Sequence, residues 1–99
     1  MKLTIREALN EAAELCSLSR QQGGGYRLVA PYRYADPRGA YTVHTYAWRE
    51  KAVEERTKAR ARVALALMGR LDFNAAQAVD ATRGSVRDRV RRALREPQA

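Results

Sequence analysis

The chain has one cysteine, one histidine, one tryptophan and one phenylalanine in 99 residues. Each scarcity excludes something. Cys16 alone cannot form an internal disulfide, which suits a reducing compartment. A single cysteine and a single histidine cannot supply the ligand set of a structural zinc site, so neither a metal nor another cofactor is expected. No apolar run nears the roughly 20 residues that a membrane span needs. The opening "MKLTIREALNEAAELC" carries acidic residues and no uncharged hydrophobic block, so it is not expected to be a signal peptide, and a cytoplasmic protein is expected. Lysine is scarce too, at three against sixteen arginines, while alanine occurs eighteen times. That balance is what GC-rich coding produces. The placement of the arginines is therefore better evidence than their number.

What is present points to a single domain of mixed class. Thr4-Ile5-Arg6-Glu7 has the spacing of a capping box, and Ile5, Leu9, Ala12 and Cys16 follow it as one stripe of an amphipathic helix ending near Leu18. "SRQQGGGY" reads as a loop, because three successive glycines are costly to hold in a helix or strand. Two β-type runs, "YRLVAPYRY" and "AYTVHTYAW", flank Asp36-Pro37-Arg38-Gly39, a sequence suited to a type I turn. A two-stranded β-hairpin is expected there, with Pro31 at an edge or a bulge. From Trp48 to about Arg70 the pattern is helical, with Ala52, Ala59, Val63 and Leu67 along one side. Two short helices are expected after it, at about 74–79 and 85–95. The expected architecture is α+β: an N-terminal helix and loop over 1–22, a hairpin over 23–47 and a helical part over 48–99.

The net charge of +8 and a sequence pI of about 10.4 favour a polyanionic partner. The charge is uneven. Residues 1–47 hold six basic and four acidic side chains, residues 48–99 thirteen and seven, and residues 82–99 six and two. In the last helix Val86, Val90, Ala93 and Leu94 form an inward stripe, and Arg87, Arg91 and Arg95 fall at i, i+4 and i+8 on another face, with Arg83 one turn earlier. Ser85 and Asp88 are spaced as N-cap and N3, although Thr82 is an alternative cap, and Asp88 is spaced to pair with Arg92.

Over residues 74–95 these features resemble the generic helix-turn-helix of bacterial and phage DNA-binding proteins. Ala76, Asp80 and Val86 take the spacings of its small helical residue, its turn residue and its later β-branched residue. The sequence departs from the pattern at Asp80, where glycine is usual, and at Arg89, where an apolar residue is usual. The resemblance implies a recognition helix in the major groove of duplex DNA. Arg83 and Arg87 would reach guanine edges, Ser85 would donate to a phosphate, and Arg91, Arg92 and Arg95 would clamp the backbone. It also implies a dimer, because such proteins match two half-sites.

Two rival accounts stand beside this one. The arginines are equally what the wet face of a C-terminal helix carries, since cations near a helix C-terminus are favoured. An acidic protein surface would attract them as well, which fits a small phage or mobile-element inhibitor that blocks another macromolecule, such as a host defence complex. Tyr32, Arg33, Tyr34, Arg38 and Tyr46 form a second candidate interface in the hairpin, because tyrosine and arginine are enriched at binding hot spots. His44, alone among polar neighbours, is expected to be a half-exposed packing residue. No triad or phosphate-loop motif accompanies it, so no enzyme is expected. The favoured expectation is a small, non-enzymatic, homodimeric DNA-binding regulator.

Overall fold

The computed structural model describes residues 2–97. Its first helix, α1 (Ile5–Leu15), begins at the expected capping box: the Thr4 hydroxyl accepts from the Glu7 amide, and the Glu7 carboxylate accepts from the Thr4 amide at 2.9 Å. The helix stops earlier than its periodicity suggests. Cys16 is already extended, and Ser17–Arg20 forms a strand, β1. Arg60, from the opposite helix, donates to the carbonyls of Cys16 and Ala13 at 3.0 and 3.1 Å, giving the carbonyls at the end of α1 the donors they otherwise lack.

The expected hairpin is therefore one half of a larger unit. β1, β2 (Tyr26–Pro31) and β3 (Tyr41–Tyr46) make a three-stranded antiparallel meander in the order β1-β2-β3. "SLSR" lacks an apolar alternation because β1 is an exposed edge whose register is set by its turn. That turn is the glycine triplet: Gly23, Gly24 and Gly25 have φ of 89°, 106° and 85°, a run of left-handed backbone that other residues would strain to adopt. The Gln21 amide closes it on the Gly25 carbonyl at 3.0 Å. At the other hairpin the Gly39 amide bonds the Asp36 carbonyl at 3.0 Å, as a type I turn requires. Pro31 does not lie on an edge; it ends the central strand. It is tolerated because the β1 register finishes at Ser17↔Val29, so no strand residue on that side needs its missing amide proton.

The remaining chain is helical: α2 (Arg49–Leu67), α3 (Phe73–Ala81) and α4 (Val86–Leu94). α2 is the spine on which every other element packs. Among the described residues no helix is long and apolar enough to cross a membrane. The core is built from small residues. Ala8 and Ala12 of α1 are buried with Ala59, Ala61, Val63, Ala64 and Leu65 of α2, joined by Ala30, Ala75, Val79, Val90 and Ala93. Small side chains let helices approach closely but remove little apolar area each. Among the described residues no aromatic ring is buried, and the largest fully buried side chain is an arginine, Arg89.

Candidate nucleic-acid interface

α4 is laid down by three local features. Gly84 precedes it with φ of 123°, and a Cβ there would meet the Asp88 carboxylate at 2.7 Å, so glycine is the residue that fits. Ser85 is the N-cap, and Thr82 instead ends α3. The Ser85 hydroxyl accepts from the Asp88 amide at 3.2 Å, and the Asp88 carboxylate accepts from the Ser85 amide at 3.2 Å. Asp88 is thereby committed to the cap rather than to Arg92, which pairs with Glu96 at 3.4 Å. Val90 and Ala93 are buried, while Val86 and Leu94 pack against the core from its margin.

The inward side of α4 also carries a charge. Arg89 is 1% exposed and sits in line with Val86 and Ala93. It donates to the Gly84 carbonyl at 3.2 Å, to the Val79 carbonyl at 2.9 Å and to the Glu54 carboxylate at 2.5 and 3.0 Å. Three elements are tied by one guanidinium: the end of α3, the turn before α4, and the first half of α2. The carbonyls near the end of α3 and in the turn are acceptors that would otherwise be hard to satisfy, and a planar fork reaches several acceptors at once. An inward position of α4 is therefore filled by an aliphatic stem with a satisfied charge at its tip. Sequence reasoning missed this residue's role, although an arginine between Val86 and Ala93 was the available signal. Glu54, 35 residues away, carried none.

The outward side holds the predicted contact residues. Arg83, Ser85, Arg87, Arg91, Arg92 and Arg95 are all exposed. Arg87, Arg91 and Arg95 follow one another along the helix as their spacing requires, with Arg83 beyond the N-terminus. Among the described residues Arg83, Arg87, Arg91 and Arg95 have no ion-pair partner. Other arginines are engaged: Arg38 with Glu11, Arg62 with Asp80, Arg89 with Glu54, Arg92 with Glu96, and Arg60 with the end of α1. Burial acts against the Arg62 charge, but Tyr34 and Asp80 hold its pKa above the ordinary value. Asp80 also differs from its expected place in a turn. It lies within α3, its carboxylate is held by α2, and the connection runs through Thr82–Ser85 instead.

The second candidate set does not form one face. Tyr32 is exposed with the Arg33 guanidinium 5.9 Å from its ring centre, and Arg38 reaches across to α1. Tyr34 packs against the core from its margin, and Tyr46 is half-buried beside Glu55 and Tyr34, with burial pushing its pKa up. His44, read as half-exposed, is exposed in β3, with Nε2 at 3.5 Å from the Thr42 hydroxyl.

No family model, curated protein or solved structure matches the chain. The physical chemistry of this surface is what bears on its use.

Proposed function

We propose that this chain is a small basic protein that binds duplex DNA through α4, acting as a regulator of transcription in the cytoplasm. The supporting observation is the sorting of arginines. Of the sixteen arginines the fold engages five with carboxylates or carbonyls, and the other eleven have no ion-pair partner among the described residues. Four of these, Arg83, Arg87, Arg91 and Arg95, lie together on one exposed surface, whereas Arg6, Arg20, Arg27, Arg33, Arg49, Arg56 and Arg70 are spread over the rest of the chain. Coding bias would scatter arginine without regard to partners. A polyanion supplies the missing counter-charge, and phosphates displace condensed counterions as they are neutralised. Arg83 and Arg87, at the start of the helix, are the base-reading candidates; Arg91 and Arg95, with Arg92 released from Glu96, are backbone clamps. Ser85 keeps its hydroxyl proton for a phosphate, because its oxygen is the acceptor in the cap.

The test is a titration against duplex DNA at two salt concentrations, with the wild type and the Arg87→Ala/Arg91→Ala double variant. Tight, salt-steep binding that the double variant loses without loss of fold is expected. Affinity unchanged by the pair at near-physiological salt would remove α4 from the contact.

One observation favours a second reading. Trp48 and Phe73 are 74% and 71% exposed, and exposed aromatics are the residue type that anchors a protein partner. Under that reading the chain is an inhibitor that sits on an acidic protein surface. Absence of duplex binding even at low salt would leave that reading standing.

A further inference from the structure

We propose that β3 is a self-association edge: two copies pair antiparallel through β3 about a two-fold axis at Val43, joining their sheets into one of six strands. The proposal stands apart from DNA binding and does not depend on it.

The hydrogen-bond alternation decides which groups are free. The Tyr32 amide bonds the Ala40 carbonyl at 2.9 Å, so in the β2–β3 ladder the bonded pairs are those of the same parity, including Ala30↔Thr42 and Leu28↔His44. The amides and carbonyls of Tyr41, Val43 and Thr45 therefore point away from β2. Among the described residues no strand pairs with that side of β3. An open strand edge is ordinarily blunted by charge, proline or a bulge. This one, "YTVHTY", has no charged side chain and no proline, and Tyr41 and Val43 are 49% and 47% exposed. The other edge of the sheet, β1, is shorter and carries Arg20.

The occupant follows from the same pattern. The edge offers a row of backbone donors and acceptors, so it takes an extended strand. It carries no charge, so it gives a charged peptide nothing to recognise. On a chain of net charge +8 it is a neutral place where two copies can meet. It is also self-complementary. Only registers that pair outward-pointing residues with each other are allowed, and centring on Val43 is the best of them. It sets Val43 against its own copy, extending the outer-face row Val29↔Val43 into a four-valine row. It sets Tyr41 beside Thr45, and His44 beside Thr42, where the imidazole and hydroxyl can bond. Centring on His44 would instead set two imidazoles against each other. About six backbone hydrogen bonds form across the axis.

The experiment measures association of the full chain without DNA, by sedimentation over a concentration series at low and high salt. A dimer is expected that tightens as salt rises, because salt screens repulsion between two basic bodies. DNA binding weakens over the same change, so the two readings fail separately. Val43→Pro deletes only the outward amide and leaves the β2 ladder intact, so its dimer dissociation constant should rise at least tenfold with circular dichroism unchanged. Should that variant misfold, Val43→Cys decides instead. A bonded antiparallel pair about the axis brings the two cysteines within disulfide reach, so oxidation should cross-link Val43→Cys rapidly and Thr45→Cys far less. A monomer at all concentrations, or equal cross-linking at both positions, overturns the proposal.

Discussion

Arg87 and Arg89 stand two residues apart on α4 and have opposite surroundings. The outer side of the helix leaves the Arg87, Arg91 and Arg95 guanidiniums in water without a described ion-pair partner, while Arg92 pairs with Glu96. The inner side removes one guanidinium from water entirely and surrounds it with a carboxylate and two carbonyls. The same residue type thus does two kinds of work, and the difference lies in the acceptors. A charge whose acceptors are supplied by the fold acts on stability. A charge without them keeps its water.

The largest effect should come from the inner side. Arg89→Ala should cost about 3 kcal/mol of stability, because it empties a buried site and leaves the Val79 and Gly84 carbonyls without their donor, read as a shift in the denaturant midpoint. Arg89→Met should lose less than Arg89→Ala, because its chain refills the buried space while Glu54, 43% exposed, keeps its water. An Arg89→Ala variant as stable as the wild type would erase the distinction between the two sides.

On the outer side, stability should scarcely change. If Arg83 or Arg87 reads a base, its loss should cost about 1–3 kcal/mol on a preferred sequence and flatten discrimination there. Arg91→Ala and Arg95→Ala should weaken all sequences alike and lower the logarithmic salt slope by about one each. Equal, sequence-blind effects at all four positions would refute base reading and leave a sequence-independent basic surface.

The smallest effect should be at Glu7, an exposed carboxylate that the fold nonetheless engages. The Thr4 backbone amide, and then its hydroxyl, hold the Glu7 pKa below its ordinary value. A depressed carboxylate pKa adds stability at neutral pH that is lost as pH falls through the carboxylate range. Glu7→Ala should therefore be slightly less stable than the wild type at neutral pH, with the two converging in acid. A constant gap across the titration would mean that the cap does not act through the charge.

The parts of this molecule that were legible in the sequence are those governed by neighbours in the chain. Both capping boxes, the Asp36–Gly39 turn, the long helix and the two sides of α4 follow from spacings of three and four residues. Strand β1 was not legible. Its four residues are three exposed and one half-buried, so no alternation marks them, and pairing with β2 alone makes them a strand. Arg89 and Asp80 were misread for a related reason: each is explained by α2, from Glu54 and Arg62, at separations of 35 and 18 residues. A core of alanines adds to the difficulty, because it leaves room for an arginine stem where a larger hydrophobic residue would ordinarily be sought.

The way α2 carries everything else has a consequence for motion. The sheet and α1 rest on it from one direction and α3 and α4 from another, with only slight contact between the two groups. Such an arrangement can open in stages. The α3–α4 pair can detach as a unit once Arg89 and Arg62 release and Val79, Val90 and Ala93 leave the core, while the sheet stays zipped. Backbone amides of α3 and α4 should then exchange with deuterium earlier than those of β2 and the centre of α2. The arginine surface would thus ride on a part of the chain that opens separately from the sheet, and binding a polyanion there would slow its exchange.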